Sequence, residues 1–409
     1  MKRRDFMGLA GGAALAPVFG PIWTARADAA PQRLVVVMLR GAVDGLNVVV
    51  PYNDQAYYES RPTIAIQKPG AENGAVQLDG RFGLHPALAG LMPLWNEKKL
   101  AFIHAAGSPD PNRSHFDAQQ YIENGTPGRQ ATADGWMNRA LAALPGTRTP
   151  TDALSVGPVL PFILRGPISV ANLPLGPNAA QPMAIDQPQV ASAFDKLYSG
   201  NDKQSLAYRQ GREARTELVA DMAGDEEQKM ANNGAPPANT FPAMANRLAG
   251  LMTKNQHIRL AVAALGEWDT HVNQGAHDGQ LAGRLKPLGD GLAALAARLG
   301  PLWNDTIVVV ISEFGRTVHE NGNRGTDHGH GNVIWVAGVG VNGGKVYGDW
   351  PGLATAQLYQ GRDLAVTTDY RHVLATVLER HMHLPDATMA KIFPGMPAPK
   401  GNLGQILSA

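Results

Sequence analysis

The stretch Leu34-Val35-Val36-Val37-Met38-Leu39, followed at once by Arg40-Gly41-Ala42-Val43-Asp44-Gly45-Leu46-Asn47, decides the fold. Six apolar residues in a row, three of them β-branched, describe a strand covered on both faces, as in a parallel sheet. Leu100–Ala105 and Thr306–Ile311 read the same way. Val333–Ala337 is a weaker strand candidate, and Leu260–Leu265 fits either strand or helix. Between them, Leu281, Leu285, Leu288, Leu292, Leu295 and Leu299 step by four and three, so one helix carries an apolar stripe. Pro287 falls inside that stripe and predicts a kink or a helix start nearby, and Gly300-Pro301 stops the helix before the next strand. Strands alternating with helices of this length predict α/β layers around a mostly parallel sheet. The middle of the chain reads differently. Residues 172–188 and 231–242 are loop-like, 190–230 is charged and helical, and 165–255 together reads as a mainly helical insertion or cap.

In such sheets, ligands bind on the loops beyond the carboxyl ends of the strands, so chemistry should gather there. Past the first strand, Asp44-Gly45 places a carboxylate where it binds a cation, or where it caps a turn. Past the second, Arg113-Ser114-His115-Phe116-Asp117 puts Ser114 at a helix N-terminus. Asp117 three residues on resembles a capping box. The same position suits a nucleophile, because free N–H groups and the helix dipole stabilise an anion there. Arg113 beside it has the fork geometry that clamps a phosphoryl or sulfuryl oxygen. Trp268-Asp269-Thr270-His271, Ser312-Glu313-Phe314-Gly315-Arg316-Thr317 and Thr326-Asp327-His328-Gly329-His330 follow the later strands. Five of the twelve histidines lie between His271 and His330, concentrated with acids at strand ends. Asp44, Asp269, His271, Glu313, His328 and His330 are the candidate metal ligands. Their oxygen and nitrogen donors suit Zn²⁺, Mg²⁺, Mn²⁺ or Ca²⁺, with imidazole favouring Zn²⁺.

The start of the chain, Met1-Lys2-Arg3-Arg4-Asp5-Phe6, has a paired arginine, then a Gly/Ala-rich apolar stretch to Trp23 and the small-x-small sequence Ala25-Arg26-Ala27. These are the three parts of an export signal, and the twin arginine predicts the twin-arginine translocase as the partner in export. Residues 1–27 are therefore expected to be removed, leaving 28–409 as a periplasmic or secreted domain. The loss takes four basic residues and one acidic one, so the mature chain holds 32 basic and 34 acidic residues. That balance offers no electrostatic drive toward nucleic acid. No later apolar run reaches the roughly 20 residues a membrane span needs. The chain has no cysteine, which excludes disulfides, thiolate metal sites and cysteine nucleophiles.

The segments Leu39–Asn47, Ser114-His115-Phe116, Trp268–His271, Ser312–Thr317 and Asp327-His328-Gly329-His330-Gly331 resemble those of a bacterial family of unknown function. Its members carry twin-arginine signals and are often labelled sulfatase-like, and it is grouped with the alkaline phosphatase and sulfatase superfamily. The resemblance covers nearly the whole mature chain. It implies a three-layer α/β/α sandwich, alkaline phosphatase-like, with a helical insertion and one or two divalent metals. It also implies Ser114 as nucleophile, Asp44, Asp269 and His271 as metal ligands, Glu313 in place of the aspartate of an Asp-His-Gly motif, and His328 or His330 as the late ligand. Phe314 stands where that motif has an imidazole, and His115, His271 or the second late histidine could fill the gap. The expected activity is a metal-dependent hydrolase acting on a phosphate or sulfate ester of a small molecule or glycan, with a second metal or Arg113 neutralising charge. The alternatives are a non-catalytic envelope binding or assembly protein on the same scaffold, and a polysaccharide-modifying esterase.

Overall fold

A computed structural model describes residues 31–129, 132–157, 160–174, 188–222, 240–398 and 403–407. The expected export signal, residues 1–27, and parts of the two expected loops lie outside these residues. In chain order the strands are β1 Arg33–Leu39, β2 Val49–Val50, β3 Val76–Gln77, β4 Gly83–Leu84, β5 Leu100–Gly107, β6 Ala153–Val156, β7 Ala171–Leu173, β8 Leu260–Leu265, β9 Thr306–Ser312, β10 Asn332–Gly338, β11 Lys345–Tyr347 and β12 Thr368–Asp369. The large sheet runs β11-β5-β10-β9-β1-β8-β6-β7, with β12 also paired to β5. A small antiparallel sheet, β2-β4-β3, stands apart from it.

The first strand sits inside the large sheet because its six residues from Leu34 on are apolar, and Arg33 at its start donates to the carbonyls of Pro31 and Gln256. All seven of its residues are buried, and Val36 pairs with Val262 on one side and Val309 on the other. Leu260–Leu265 is therefore strand, held between two parallel neighbours. Val35, Val37 and Leu39 face the helices Thr240–Lys254 and Gln280–Leu299. Leu34, Val36 and Met38 face Trp136–Ala143, Tyr370–Arg380 and Asp386–Ile392. The result is a three-layer α/β/α sandwich, mostly parallel. The leucine stripe of the helix Gln280–Leu299 is buried throughout. That helix starts at Gln280, not near Pro287, and continues through the proline, which lacks the N–H for one backbone bond.

Of the stretch 165–255, Ala171–Leu173 is the edge strand β7 and Thr240–Lys254 belongs to one helical layer. Pro188–Leu197 and Lys203–Met222 are helices between them, and 175–187 and 223–239 lie outside the described residues.

One strand departs from the parallel pattern, and it places the site. β10 runs antiparallel to both β5 and β9. Its N-terminal end therefore lies on the rim where β1, β5, β8 and β9 finish, and the loop Thr326–Gly331 that leads into it meets the loops that leave them.

Candidate metal centre

Four histidine and aspartate side chains meet on that rim. His115 opens the helix His115–Asn124 after β5, Asp269 and His271 follow β8, and His328 precedes β10. His328 Nε2 lies 3.0 Å from His115 Nε2 and 3.0 Å from His271 Nε2. Asp269 offers one oxygen 3.3 Å from His328 Nε2 and the other 3.5 Å from His115 Nε2. His115, Asp269 and His328 each present a donor atom, all within 4.8 Å of one another. His271 Nε2 stands 2.9 Å from Asp269 Oδ1.

The far side of each ring dictates what the near side presents. His328 Nδ1 lies 2.9 Å from the carbonyl oxygen of Arg113, which only accepts, so Nδ1 carries the hydrogen and Nε2 points a lone pair inward. His115 Nδ1 is 2.8 Å from Glu313 Oε1, and the same reasoning turns its Nε2 lone pair inward. His271 has Asp327 Oδ1 at 3.2 Å from Nδ1. Imidazoles pinned from behind by an oxygen acceptor and converging beside a carboxylate could serve as the donor set of a cation site, the groups behind them acting as its outer shell. Zn–N bonds of 2.0–2.1 Å in a tetrahedron put neighbouring ligand atoms about 3.3 Å apart. The 3.0 Å between His115 and His328 and the 3.3 Å between His328 and Asp269 Oδ1 come near that spacing, while Asp269 meets His115 through its other oxygen, at 3.5 Å. The centre also opens to solvent, with the Asp269 side chain 41% exposed.

The electrostatics divide the two imidazoles, since a raised pKa favours the protonated ring and a cation at His115 would have to displace that proton. The Glu313 bond raises the pKa of His115 against the desolvation of its ring. Burial, reinforced by the charges of His115 and Arg316, lowers that of His328 and keeps it neutral. Burial pushes Asp269 upward, but the bond and charge of Arg316, with His271 and His115, leave it below the usual carboxylate value.

The other expected ligands stand elsewhere. Glu313 is fully buried behind His115 and not among the converging donors. It accepts bonds from Gly41 N at 2.7 Å and Gln119 Nε2 at 3.1 Å, and its other oxygen lies 3.0 Å from Ser312 Oγ, so its charge is spent on orienting the imidazole. Burial pushes its pKa up, and the bonds from His115 and Gln119 bring it below the ordinary value. Asp44, also fully buried, faces a guanidinium in place of a metal. Arg61 reaches its two oxygens at 2.6 and 3.0 Å, and Gln274 donates at 2.7 Å. His330 lies outside the group, its ring 4.6 Å from that of Tyr359, and burial lowers its pKa. Arg113 is held by the buried carboxylate of Asp363 and by Gln360, so its guanidinium is already engaged, and only its carbonyl serves the centre. Ser114 is the N-cap residue, but its hydroxyl makes no capping bond. Asp117 instead accepts from Asn112, and the expected capping box is not formed. The serine is exposed beside His115.

Arg316 is the residue whose importance sequence reasoning missed. Fully buried, it donates to the carbonyls of Ala42, Thr326, Gly41 and Trp268 and to Asp269, tying three rim loops together. Its place four residues past a buried strand was the available signal. Arg61, distant in sequence and outside any motif, offered none. Two glycines make the close approach possible. Gly41 has φ +112°, and a Cβ there would lie 2.8 Å from the backbone nitrogen of Asp269. A Cβ on Gly315 would lie 1.8 Å from the carbonyl oxygen of Gly331. Phe314 packs its ring 5.0 Å from His115 and 5.1 Å from His328. The missing imidazole is thus an apolar floor under two others.

A mostly parallel α/β/α sandwich with a histidine-rich rim that could hold a cation is the class defined by fold and site. The chain belongs to the family described as "Protein of unknown function (DUF1501)", whose model matches residues 31–393. No curated protein matches it. Among solved structures it is similar to a protein in the alkaline phosphatase superfamily from Vibrio parahaemolyticus, with 10% identity and a TM-score of 0.32 over 78% of this chain and 63% of that one. The chain thus spans less than two thirds of that protein's length. It is also similar to Ps i-CgsB, described in complex with k-i-k-neocarrahexaose, at 10% identity and a TM-score of 0.40, over 89% and 76% of the two chains. A third is the lipoteichoic acid synthase LtaP from Listeria monocytogenes, at 10% identity and a TM-score of 0.30, over 83% and 75%.

Proposed function

We propose that the chain is a metal-dependent hydrolase of phosphate or sulfate esters, exported through the twin-arginine route to the periplasm. The observation that carries this reading is the convergence of His115 Nε2, His328 Nε2 and the Asp269 carboxylate, with His271 alongside. These residues would hold the ion, Zn²⁺ being the best match to the imidazoles. A divalent cation so placed lowers the pKa of a bound hydroxyl and neutralises charge on the transferring group. The chain supplies the rest. Ser114 presents a hydroxyl that makes no capping bond at the N-terminus of a ten-residue helix, where free N–H groups favour an oxyanion. Its oxygen would bond to phosphorus or sulfur while the ester oxygen leaves with the proton the serine gives up. Water then releases phosphate or sulfate and restores the hydroxyl. Glu313 keeps His115 aimed, and Arg316 fixes Asp269. No helix among the described residues is long and apolar enough to cross a membrane, which agrees with an exported domain.

The test is elemental analysis of the mature protein with release of p-nitrophenol from its phosphate and sulfate esters. Stoichiometric metal, turnover abolished by chelation, and loss of turnover in Ser114→Ala are expected. Metal-free protein, or turnover untouched by Ser114→Ala, defeats the proposal. The Arg61–Asp44 pair favours a second reading, a binding protein on the same scaffold, since it removes one expected ligand. Glycan or protein capture that survives EDTA, without turnover, would establish that instead.

A further inference from the structure

Beside the metal centre lies a cleft of about 350 Å³, walled by Phe116, Gln119, Gln120, Arg40, Phe162 and Arg165. Its size is at the lower end of the roughly 300–1,000 Å³ typical of small-molecule sites. Two features set it apart. Phe116 is 89% exposed, on the first turn of the helix that carries His115. A phenyl ring left in water there adds nothing to the core, and it stands one residue from a candidate ligand. The cleft is also cationic. Glu123, its one carboxylate, is buried, with one oxygen held by Arg40 and the other by the Ile163 N–H. Arg165 is exposed, and among the described residues only its Nε is bonded, to the Leu160 carbonyl. Two guanidinium groups against one spent carboxylate leave an excess positive charge. Gln119 links cleft to centre, since its amide nitrogen bonds Glu313, which holds His115.

We propose that this cleft is the leaving-group subsite and that it takes a sugar ring of an anionic saccharide. The assignment as a leaving-group subsite rests on the hydrolase reading above. A saccharide offers an apolar C–H face for the ring of Phe116, hydroxyls for the carboxamides of Gln119 and Gln120, and an anionic substituent for Arg165. A neutral sugar would leave the guanidinium unused, and a plain aryl ester would leave the amides unused.

The test is calorimetric titration of the full mature chain with tetragalacturonate and with maltotetraose, a neutral saccharide of equal length. The charged tetrasaccharide should bind at least about tenfold more tightly than the neutral one. Phe116→Ala and Arg165→Ala should each weaken it by about tenfold or more, the usual scale for losing an aromatic or arginine anchor. Both side chains are exposed, so the variants should melt at the wild-type temperature. Absent binding of tetragalacturonate, equal affinity for maltotetraose, or unchanged affinity in both variants overturns the proposal. Saccharide binding that depends on Phe116, together with no hydrolysis of any ester, would defeat the hydrolase reading and leave the cleft standing as a saccharide site.

Discussion

Replacing Glu313 by glutamine isolates what a buried charge does for the proposed metal centre. Oε1 of the carboxylate takes three hydrogen bonds, from Gly41 N, His115 and Gln119, and Oε2 lies 3.0 Å from Ser312 Oγ. A glutamine whose carbonyl takes the Oε1 position retains the first three. Its amino group then faces Ser312 Oγ, which already gives its hydrogen to the Leu39 carbonyl and can accept. The pocket therefore stays satisfied, and the folding cost is small. What disappears is the negative charge behind the His115 ring. A charge-assisted hydrogen bond contributes about 1.5–3 kcal/mol net and roughly twice what a neutral one does. Halving it removes about 0.75–1.5 kcal/mol of support for the ligand, roughly 4- to 12-fold in affinity. That reaches the lower end of the 10–100-fold range for losing an outer-shell partner. Competition of wild type and Glu313→Gln against a fluorescent zinc indicator reads the difference directly, with the melting temperature as the control for folding. A zinc affinity within about twofold of wild type, while His115→Ala loses zinc, would refute the outer-shell role.

Arg61→Met should strand the Asp44 charge in a site where neither side chain is more than 1% exposed, at a cost of about 3–5 kcal/mol. Denaturant titration measures it, and Asp44→Asn should keep its full metal content. Loss of metal from well-folded Asp44→Asn would make Asp44 a ligand after all. The buried rings of His85 and His104 have pKa values pushed down by burial to about 4, against about 6.5 in an unfolded chain. The unfolded state thus binds protons first as pH falls. Stability is then full above about pH 6.5, declines to about pH 4 and levels off, each ring contributing on the order of 3 kcal/mol. Equal urea midpoints at pH 7 and pH 4.5 would contradict this. Gly315→Ala must displace the Gly331 carbonyl and should destabilise by more than about 2 kcal/mol. Gly340→Ala, which meets nothing within 4 Å, serves as the control, and equal melting temperatures for the two would show the rim to be pliable.

The site was only partly legible along the chain. Asp269, His271 and His328 stand just past β8 or just before β10, and the structure brings them together. In the sequence His115 is only one of three side chains able to replace the imidazole missing at Phe314, and in the structure it lies within the group. Asp44 and Glu313 carry equally good donor atoms at equally suggestive positions. What removes them from the group is their partners, Arg61 and His115, which lie 17 and 198 residues away in the chain. A carboxylate motif looks the same whether a metal or a guanidinium faces it. Arg113 misled in the opposite way, since Asp363, 250 residues on, holds the side chain that adjacency seemed to offer to Ser114.

Apolar runs and the leucine stripe were enough to determine the layers, because burial acts on each residue locally and leaves a periodic trace. They also determined which rim would carry the chemistry, since strand ends in a parallel sheet all point one way. Tertiary structure alone decided which donors face inward. That choice depends on the reversed direction of β10, on side chains that pin each imidazole from behind, and on a guanidinium that satisfies a carboxylate first. Contacts of that kind join distant residues, and no local pattern records them.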